Sequence, residues 1–232
     1  MHAHEDDAEA VAEPAAPQRA VDGRALSAKG ERTRKRLLDA AEQVFADLGY
    51  HEASIVKITE AAGVAQGTFY RYFASKQAVF DELIRDLNRR VRRAMSEGAA
   101  RGTTRAEKER YGFEGYFRFT AEHPALYRVI RQAEFVSPRM LEYHYSRIVD
   151  GYRDGLTGAM ASGEIIDNDP DVLAWALMGV GEMIGLRWIL WHDRSEVPPE
   201  ILDALMLFVA RGLGTQPADG TATMQGRGHE PR

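Results

Sequence analysis

Apolar residues recur at helical spacing through most of this 232-residue chain, and this feature constrains the fold more than any other. Between residues 31 and 213 the apolar positions fall three or four apart, and no sustained alternation of apolar and polar residues is bounded by hairpin turns. Proline stands near a helix start after His123, Ser137 and Asp169, where its missing N–H costs nothing. The sequence therefore predicts an all-α fold of about nine helices.

The helix boundaries follow from these breaks and from capping residues. Ser54 and Ser75 are candidate N-caps, and Gly49 and Gly63 are candidate helix ends. The predicted helices are 31–48, 55–62, 66–73, 76–97, 106–122, 124–134, 138–162, 170–191 and 198–213. Residues 1–28, rich in Ala, Pro and acidic side chains, and residues 215–232, rich in Gly, Thr and Pro, are predicted to be disordered tails.

Charge is unevenly distributed along the chain. The net charge of -5 argues against a nucleic-acid partner until it is divided by region. Residues 29–93 carry a net charge of +4, against -4 for residues 1–28 and -5 for the remainder. A basic module of this kind suits phosphate binding, although a solvated basic face would give the same count.

Several classes of protein are disfavoured by what the sequence lacks. Cysteine is absent, which excludes disulfides, thiolate metal sites and cysteine nucleophiles. Residues 1–28 contain no apolar core typical of a signal peptide, and no run of 18 uninterrupted apolar residues occurs later. These observations predict a soluble cytoplasmic protein with no membrane partner and no metal.

Residues 54–73 have the pattern of a helix-turn-helix, with two short helices separated by a turn that begins at Gly63. Six apolar side chains would hold the helices together: Ile58, Ala61, Ala62, Val64, Phe69 and Phe73. This leaves five side chains to face outward from the second helix: Gln66, Thr68, Tyr70, Arg71 and Tyr72. Amide, hydroxyl and guanidinium groups on a helix that enters the major groove suit contacts with phosphates and base edges.

The segment from 33 to 84 resembles the TetR (TetR/AcrR) family of regulators. The resemblance rests on Ile58-Thr59-Glu60-Ala61-Ala62-Gly63-Val64, on Gly67-Thr68-Phe69-Tyr70-Arg71-Tyr72-Phe73, on Ser75-Lys76 and on a preceding helix that ends in Phe45-Ala46-Asp47-Leu48-Gly49-Tyr50. It implies a three-helix DNA-binding domain at 29–75 and a larger helical effector-binding and dimerisation domain at 76–214. It also implies DNA contacts by Ser54, Gln66, Gly67, Thr68, Tyr70, Arg71, Tyr72 and Lys76. Ala65 stands where the family commonly has serine.

The last two predicted helices are too apolar for one monomer to bury, which favours a homodimer on a palindromic operator. The predicted interface residues are Trp175, Gly181, Gly185, Trp188, Leu205 and Phe208. Helices between 106 and 162 mix aromatic and polar side chains, as ligand cavities do. The stretch 123–135 is similar to that of family members that respond to acyl-CoA thioesters or other lipid-like molecules, and this resemblance implies a small hydrophobic effector of that kind. The residues predicted to contact it are Phe117, Tyr127, Arg131, Glu134, Phe135, Tyr143, His144 and Trp175.

The mechanism that the resemblance implies is release of DNA when ligand in the body displaces helix 76–97, with Phe80, Leu83, Leu87 and Val91 coupling the body to the head. Repression is the family's default. Two alternatives stay open: a dimeric DNA-binding regulator without an effector, and a small helical enzyme with an accessory head. The sequence has no His-Glu-x-x-His motif, nucleophile elbow or P-loop, so neither a catalytic residue nor a cofactor is predicted.

Overall fold

The computed structural model describes residues 19–215, which are almost entirely helical. The helices are α1 (Ala28–Glu52), α2 (Ile55–Ala61), α3 (Gln66–Tyr72), α4 (Lys76–Ala99), α5 (Arg105–Glu122), α6 (Ala125–Val136), α7 (Pro138–Ala161), α8 (Pro170–Gly185) and α9 (Pro199–Leu213). A π-helical segment, Leu186–Trp191, continues α8. The all-α prediction and its nine helices are confirmed within the described residues.

The capping residues act as the sequence predicts. The Ser54 hydroxyl accepts a hydrogen bond from the Lys57 amide at 3.2 Å, and the Ser75 hydroxyl accepts one from the Ala78 amide at 3.1 Å. Gly63 ends α2 with a φ of +62°, a conformation that favours glycine. Gly49, with a φ of +77°, kinks α1, and one further helical turn follows to Glu52.

Residues 19–27 form an ordered turn, so the prediction of a disordered tail is wrong for this part of it. The Val21 amide donates to the Arg71 carbonyl at 3.0 Å, Ala20 is buried, and Leu26 packs against the core of the head. These contacts offset the conformational entropy that the segment loses on ordering, although its acidic, alanine-rich composition had indicated that it would stay disordered. The predicted disorder of residues 1–18 and 216–232 lies outside the described residues.

Two hydrophobic clusters make up the interior. The first joins α1–α3 to α4, α6 and part of α7, and the second joins α5, α7, α8 and α9. Tyr116, Tyr152 and Met178 pack against both clusters. The four residues predicted to couple head and body, Phe80, Leu83, Leu87 and Val91, are fully buried in the first cluster. The head therefore shares its core with α6 and α7, and the predicted domain boundary at residue 75 stays a prediction.

Helix α4 crosses α5 at unusually short distance, because glycine occupies the contact on both helices. A Cβ added to Gly98 would overlap the Tyr111 carbonyl, and a Cβ added to Gly115 would overlap the Ala94 carbonyl. Backbone therefore lies against backbone along this crossing. Because α4 begins at the end of the head and α5 belongs to the body, this crossing helps to fix the position of the head relative to the body.

Candidate nucleic-acid interface and ligand cavity

Helix α3 presents a polar face to solvent. Gln66, Gly67, Tyr70 and Arg71 are exposed, and Thr68 is half-buried. Tyr70 keeps 49% of its surface in solvent although tyrosine is an amphipathic residue that usually packs. The opposite face is anchored by Phe69, whose side chain is fully buried. The predicted base-contacting residues therefore lie together on an unpacked surface.

Tyr72 does not share that face, so the interpretation that it points outward is wrong. Its side chain is only 8% exposed and packs in the core of the head with Phe69 and Phe73. The physical reason is helical geometry, since a residue three positions after the buried Phe69 falls on the same side of the helix. This spacing was visible in the sequence.

Lys76 is held by the protein itself. Its ammonium donates to the carbonyl of Tyr50 at 2.7 Å and to that of Ala53 at 2.9 Å, and it lies 4.3 Å from the centre of the Tyr50 ring. The carbonyls belong to the last turn of α1 and the residue after it, which would otherwise lack intrahelical partners. Lys76 thus ties α1 to α4, and its predicted contact with DNA stays a prediction. Ser54, similarly, uses its hydroxyl to cap α2.

A cavity lies in the body where the two hydrophobic clusters meet. Its volume is about 30 Å³, so it is a narrow slot. Its walls come from α4, α5, α6, α7 and α8: Met95, Phe113, Tyr116, Leu126, Tyr127, Ile130, Arg131, His144, Tyr145, Ile148, Tyr152, Leu177, Met178, Gly181 and Glu182. An apolar slot with few polar groups is typical of small-molecule sites.

The polar groups of the cavity form two linked pairs. The hydroxyls of Tyr116 and Tyr127 are 2.9 Å apart, and the Tyr145 hydroxyl donates to the Glu182 carboxylate at 2.9 Å. Burial raises the pKa of all three phenols, with the neighbouring Glu182 charge adding to the effect. The phenols therefore remain protonated donors at neutral pH. Glu182 and the exposed Arg131 place one negative and one positive group at the wall.

Only three of the predicted ligand-binding residues line this cavity: Tyr127, Arg131 and His144. Phe117 is buried in the second cluster without reaching the cavity, and Tyr143 packs against the first cluster. Phe135, at 81% exposure, and Glu134 lie on the outer surface of α6, and Trp175 is 44% exposed on α8. The prediction is therefore wrong for these five in the cavity seen here, because helical periodicity alone does not tell which face of α6 or α8 turns inward.

His144 connects the cavity to α4. The Asn88 side-chain amide donates to the His144 carbonyl at 2.9 Å and lies 3.2 Å from the His144 Nδ1 atom. Burial lowers the pKa of His144 to about 4, so its ring is neutral at physiological pH. Both residues are buried, which makes this contact a rigid polar link between α4 and α7. Sequence reasoning missed Asn88, although an asparagine inside the apolar stripe of α4 was a visible exception.

Gln132 forms a second link between the body and the head. Its Oε1 atom accepts from the Tyr50 amide at 2.6 Å, and its Nε2 atom donates to the Phe45 carbonyl at 3.1 Å. The same helix, α6, turns Tyr127 and Ile130 towards the cavity. A shift of α6 would therefore act on the end of α1 directly.

Large apolar side chains remain exposed on α8, the π-helical segment and α9: Val172, Trp175, Met183, Trp191 and Phe208. Trp175 and Phe208 were predicted interface residues, and Trp188 is half-buried. Gly181, Gly185 and Leu205 are buried within the monomer, so their predicted interface role is wrong. Gly181 meets the Phe113 ring and Gly185 meets the Tyr127 hydroxyl, which shows that these glycines admit α5 and α6 side chains.

The segment Pro170–Trp191 is also long and apolar enough to cross a membrane by length and composition, and 39% of its most apolar stretch is buried. Glu182 and Gly181 lie in the middle of this segment, against the cavity. A helix that packs one face in the core and another face on a partner is apolar to the same degree. We therefore treat it as part of the helical body.

Comparison with known proteins agrees with the geometry of the head. Residues 37–83, from within α1 to within α4, match the family model for bacterial regulatory proteins of the tetR family. This segment belongs to the TetR family. It contains the residues that form α2, α3 and their turn, so the family assignment rests on the three-helix head.

Relatives extend the likeness beyond the TetR head. The HTH-type transcriptional regulator YdgC of Bacillus subtilis is 47% identical over 68 residues, which are 29% of this chain and 35% of YdgC. The fatty acid metabolism regulator protein of B. subtilis is 30% identical over 129 residues, 55% of this chain and 66% of that protein. The chain thus matches about a third and just under two thirds of these relatives.

The TetR fold of the body is supported by a solved structure. The regulator FadR of B. subtilis, in complex with stearoyl-CoA, superposes with a TM-score of 0.68 at 23% identity, over 77% of this chain and 98% of FadR. At this identity the likeness speaks for the fold alone. It extends the agreement from the head through the helical body.

Proposed function

We propose that this TetR-family protein is a DNA-binding transcriptional regulator, which an amphipathic small molecule in the body releases from its operator. The observation that carries the proposal is the exposed polar face of α3. An amide, a phenol and a guanidinium from Gln66, Tyr70 and Arg71 stay in solvent on a helix whose other face is buried. Such a face suits a recognition helix in the major groove. A regulator with this function would act in the cytoplasm, where its operator DNA lies.

A homodimer on a palindromic operator follows from the same proposal. Two recognition helices must lie about 34 Å apart to read successive major grooves, which requires two copies of the head. The exposed side chains of Trp175, Met183, Trp191 and Phe208 form the apolar surface available for a second copy. Packing α8 and α9 on their mates in a four-helix arrangement would bury it.

The cavity supports a ligand with an apolar body and a polar end. Its walls are mostly aliphatic and aromatic, and its polar groups are three phenols, Glu182 and Arg131. Because relatives include a fatty acid metabolism regulator and a FadR bound to stearoyl-CoA, a long-chain acyl-CoA is the effector to test first. The slot is narrow as it stands, so an acyl chain would have to separate α5, α6, α7 and α8.

Repression relieved by the effector is the simplest mechanism, and it requires no catalysis. Ligand that widens the slot displaces α6 and α7, and the links through Gln132 and the Asn88–His144 contact pass the displacement to α1 and α4. The two heads of the dimer then lose the spacing that DNA requires. The effector stabilises only the state with the wider slot.

Substitutions on α3 test the DNA-binding half of the proposal. An operator selected from random duplexes by the wild-type protein is titrated with the Gln66→Ala/Arg71→Ala variant in a gel-shift assay. We expect affinity to fall by about 30-fold or more, because base-edge contacts of this kind discriminate by about 1–3 kcal/mol each and two of them are lost. The matched control is Gln43→Ala/Arg118→Ala, which removes the same two side-chain types from exposed positions on α1 and α5. Equal losses in both variants would contradict the assignment.

The effector half is tested on the same complex. We expect stearoyl-CoA to release the DNA and to raise the melting temperature, and free coenzyme A to do neither, because only the acyl chain fills the apolar slot. The Ile148→Trp variant adds side-chain volume to a slot with little free space, so we expect it to widen the slot as the effector would and to bind the operator weakly even without stearoyl-CoA. If acyl-CoAs, fatty acids and aromatic compounds all leave the complex intact, the regulator without an effector becomes the better description.

A further inference from the structure

We infer that the N-terminal turn of residues 19–27 is a second DNA-binding element, in which Arg19 and Arg24 bind backbone phosphates beside the groove that α3 enters. The inference rests on the proposed DNA-binding function and adds a site outside residues 37–83, the segment that matches the family model. It assigns the turn a ligand of one chemical class, the phosphodiester backbone of double-stranded DNA.

The turn is attached to the recognition helix itself. The Val21 amide donates to the carbonyl of Arg71, a residue in the last turn of α3, at 3.0 Å. Ala20 is 8% exposed and Leu26 packs against the core of the head, so the turn is seated on both sides of this hydrogen bond. Residues 19–25 therefore lie beside the last turn of α3, where DNA that follows the length of this helix would reach them.

The turn has a defined internal structure. The Ala20 amide donates to the Arg24 carbonyl at 2.9 Å, and the Gly23 amide donates to the Ala20 carbonyl at 2.9 Å. Gly23 has a φ of +82°, which favours glycine, and no atom lies near the place of its missing Cβ. Arg19 and Ala25 form an antiparallel β-bridge, which closes the turn.

Both arginines are presented to solvent in a fixed orientation. The side chain of Arg24 is 84% exposed, and its Nε and Nη2 atoms donate to the Asp22 carboxylate at 2.7 and 2.5 Å. Its Nη1 atom has no hydrogen-bond partner among residues 19–215 and is available to a phosphate oxygen. Arg19 is exposed as well, and its Nη1 atom donates to the Gly23 carbonyl at 2.9 Å. Orientation by Asp22 reduces the side-chain entropy that a phosphate contact would cost.

Stability alone gives little reason for these exposed charges. An exposed ion pair such as Arg24 with Asp22 contributes little to folding. Beyond the turn, the first half of α1 continues the basic surface with exposed Lys29, Arg32 and Arg36. Positive charge at the start of a helix opposes the helix dipole, and a phosphate backbone lying along the turn and α1 would offset that cost.

The test measures the affinity of the full chain for a selected operator and for a random duplex of about 30 base pairs over a range of KCl concentrations. For the Arg19→Ala/Arg24→Ala variant we expect the slope of log K against log [KCl] to fall in magnitude by about 1.8 per protomer, since each phosphate contact adds about 0.9. The loss should be equal on both duplexes, because phosphates carry no sequence information. Charge reversal in Arg24→Glu should weaken binding more than Arg24→Ala does.

The matched control is Arg118→Ala/Arg139→Ala, which removes two exposed arginines from the body. If Arg19→Ala/Arg24→Ala keeps the wild-type affinity and slope while Gln66→Ala/Arg71→Ala loses operator binding, the turn is overturned as a DNA site and the proposed function stands. If the wild-type protein binds neither duplex, both are overturned. A loss on the operator alone, with the random duplex unaffected, would also contradict a phosphate contact.

Discussion

Gly115→Ala is expected to lower the free energy of unfolding by about 3 kcal/mol, at the upper end of the usual cost of overpacking. The added Cβ would overlap the Ala94 carbonyl oxygen and lie 3.0 Å from the Ala94 carbonyl carbon. Both atoms are backbone, so no side chain can rotate away and α4 must move off α5. Urea denaturation followed by circular dichroism measures the change.

The control for this prediction has the opposite sign. Gly158 lies on an exposed position of α7 with no atom within 4 Å of the place of its missing Cβ. Gly158→Ala should therefore stabilise the protein by about 0.5–1 kcal/mol, because alanine loses less backbone entropy than glycine in a helix. If Gly115→Ala is as stable as the wild type, α4 and α5 do not touch as described.

The crossing at Gly115 also bears on the cavity. Phe113 and Tyr116, its neighbours on α5, line the slot, and so does Met95 of α4. Moving α4 off α5 would widen the slot without ligand. In the DNA-binding assay we therefore expect any Gly115→Ala protein that remains folded to bind the operator more weakly even without an effector.

Lys76→Met is expected to lower the free energy of unfolding by about 2–3 kcal/mol, because two charge-assisted hydrogen bonds and a cation–π contact are lost together. Methionine keeps most of the length of the side chain but donates nothing to the carbonyls of Tyr50 and Ala53. The end of α1 then loses its attachment to α4. Thermal and urea unfolding of the variant measure the effect.

Lys57→Met is the matched control, because Lys57 also donates to a carbonyl, that of Glu52 at 3.0 Å, but from an exposed position. Its loss should cost about 0.5 kcal/mol, as water replaces the lost donor. If Lys76→Met instead leaves stability unchanged but reduces DNA affinity and its salt dependence, the ammonium binds phosphate and not the protein. That result would support the DNA contact predicted for Lys76 from the sequence.

Helix positions were predictable because local signals set them. Ser54 and Ser75 cap α2 and α4, and Pro138 and Pro170 begin α7 and α8, with no help from distant residues. The location of the reading helix followed from the same kind of signal, the Gly63 turn between two short helices. The local pattern was misread for one residue, because Tyr72 was predicted to point outward and instead shares the buried face of Phe69.

The cavity could not be predicted in this way, because its polar groups come from separate helices. Tyr145 and Glu182 are 37 positions apart, and Asn88 and His144 are 56 apart. Trp175 and Phe135 look like ligand-binding aromatics in the sequence, yet both turn to solvent. Which face of a helix turns inward depends on the crossing of its neighbours, and that crossing is itself a result of packing.

The N-terminal turn of residues 19–27 shows most clearly which features the sequence determines and which depend on the tertiary structure. By itself the sequence determined that the chain is helical, where each helix begins, and that a basic helix-turn-helix module lies near its start, because caps, prolines and apolar spacing act over a few residues. Only the tertiary structure decided that the Val21 amide donates to the Arg71 carbonyl and that the Lys76 ammonium binds the end of α1. It also decided that Gly181 and Gly185 face the monomer's own core. These contacts join residues distant along the chain, and they form only where close packing brings backbone and side chains together.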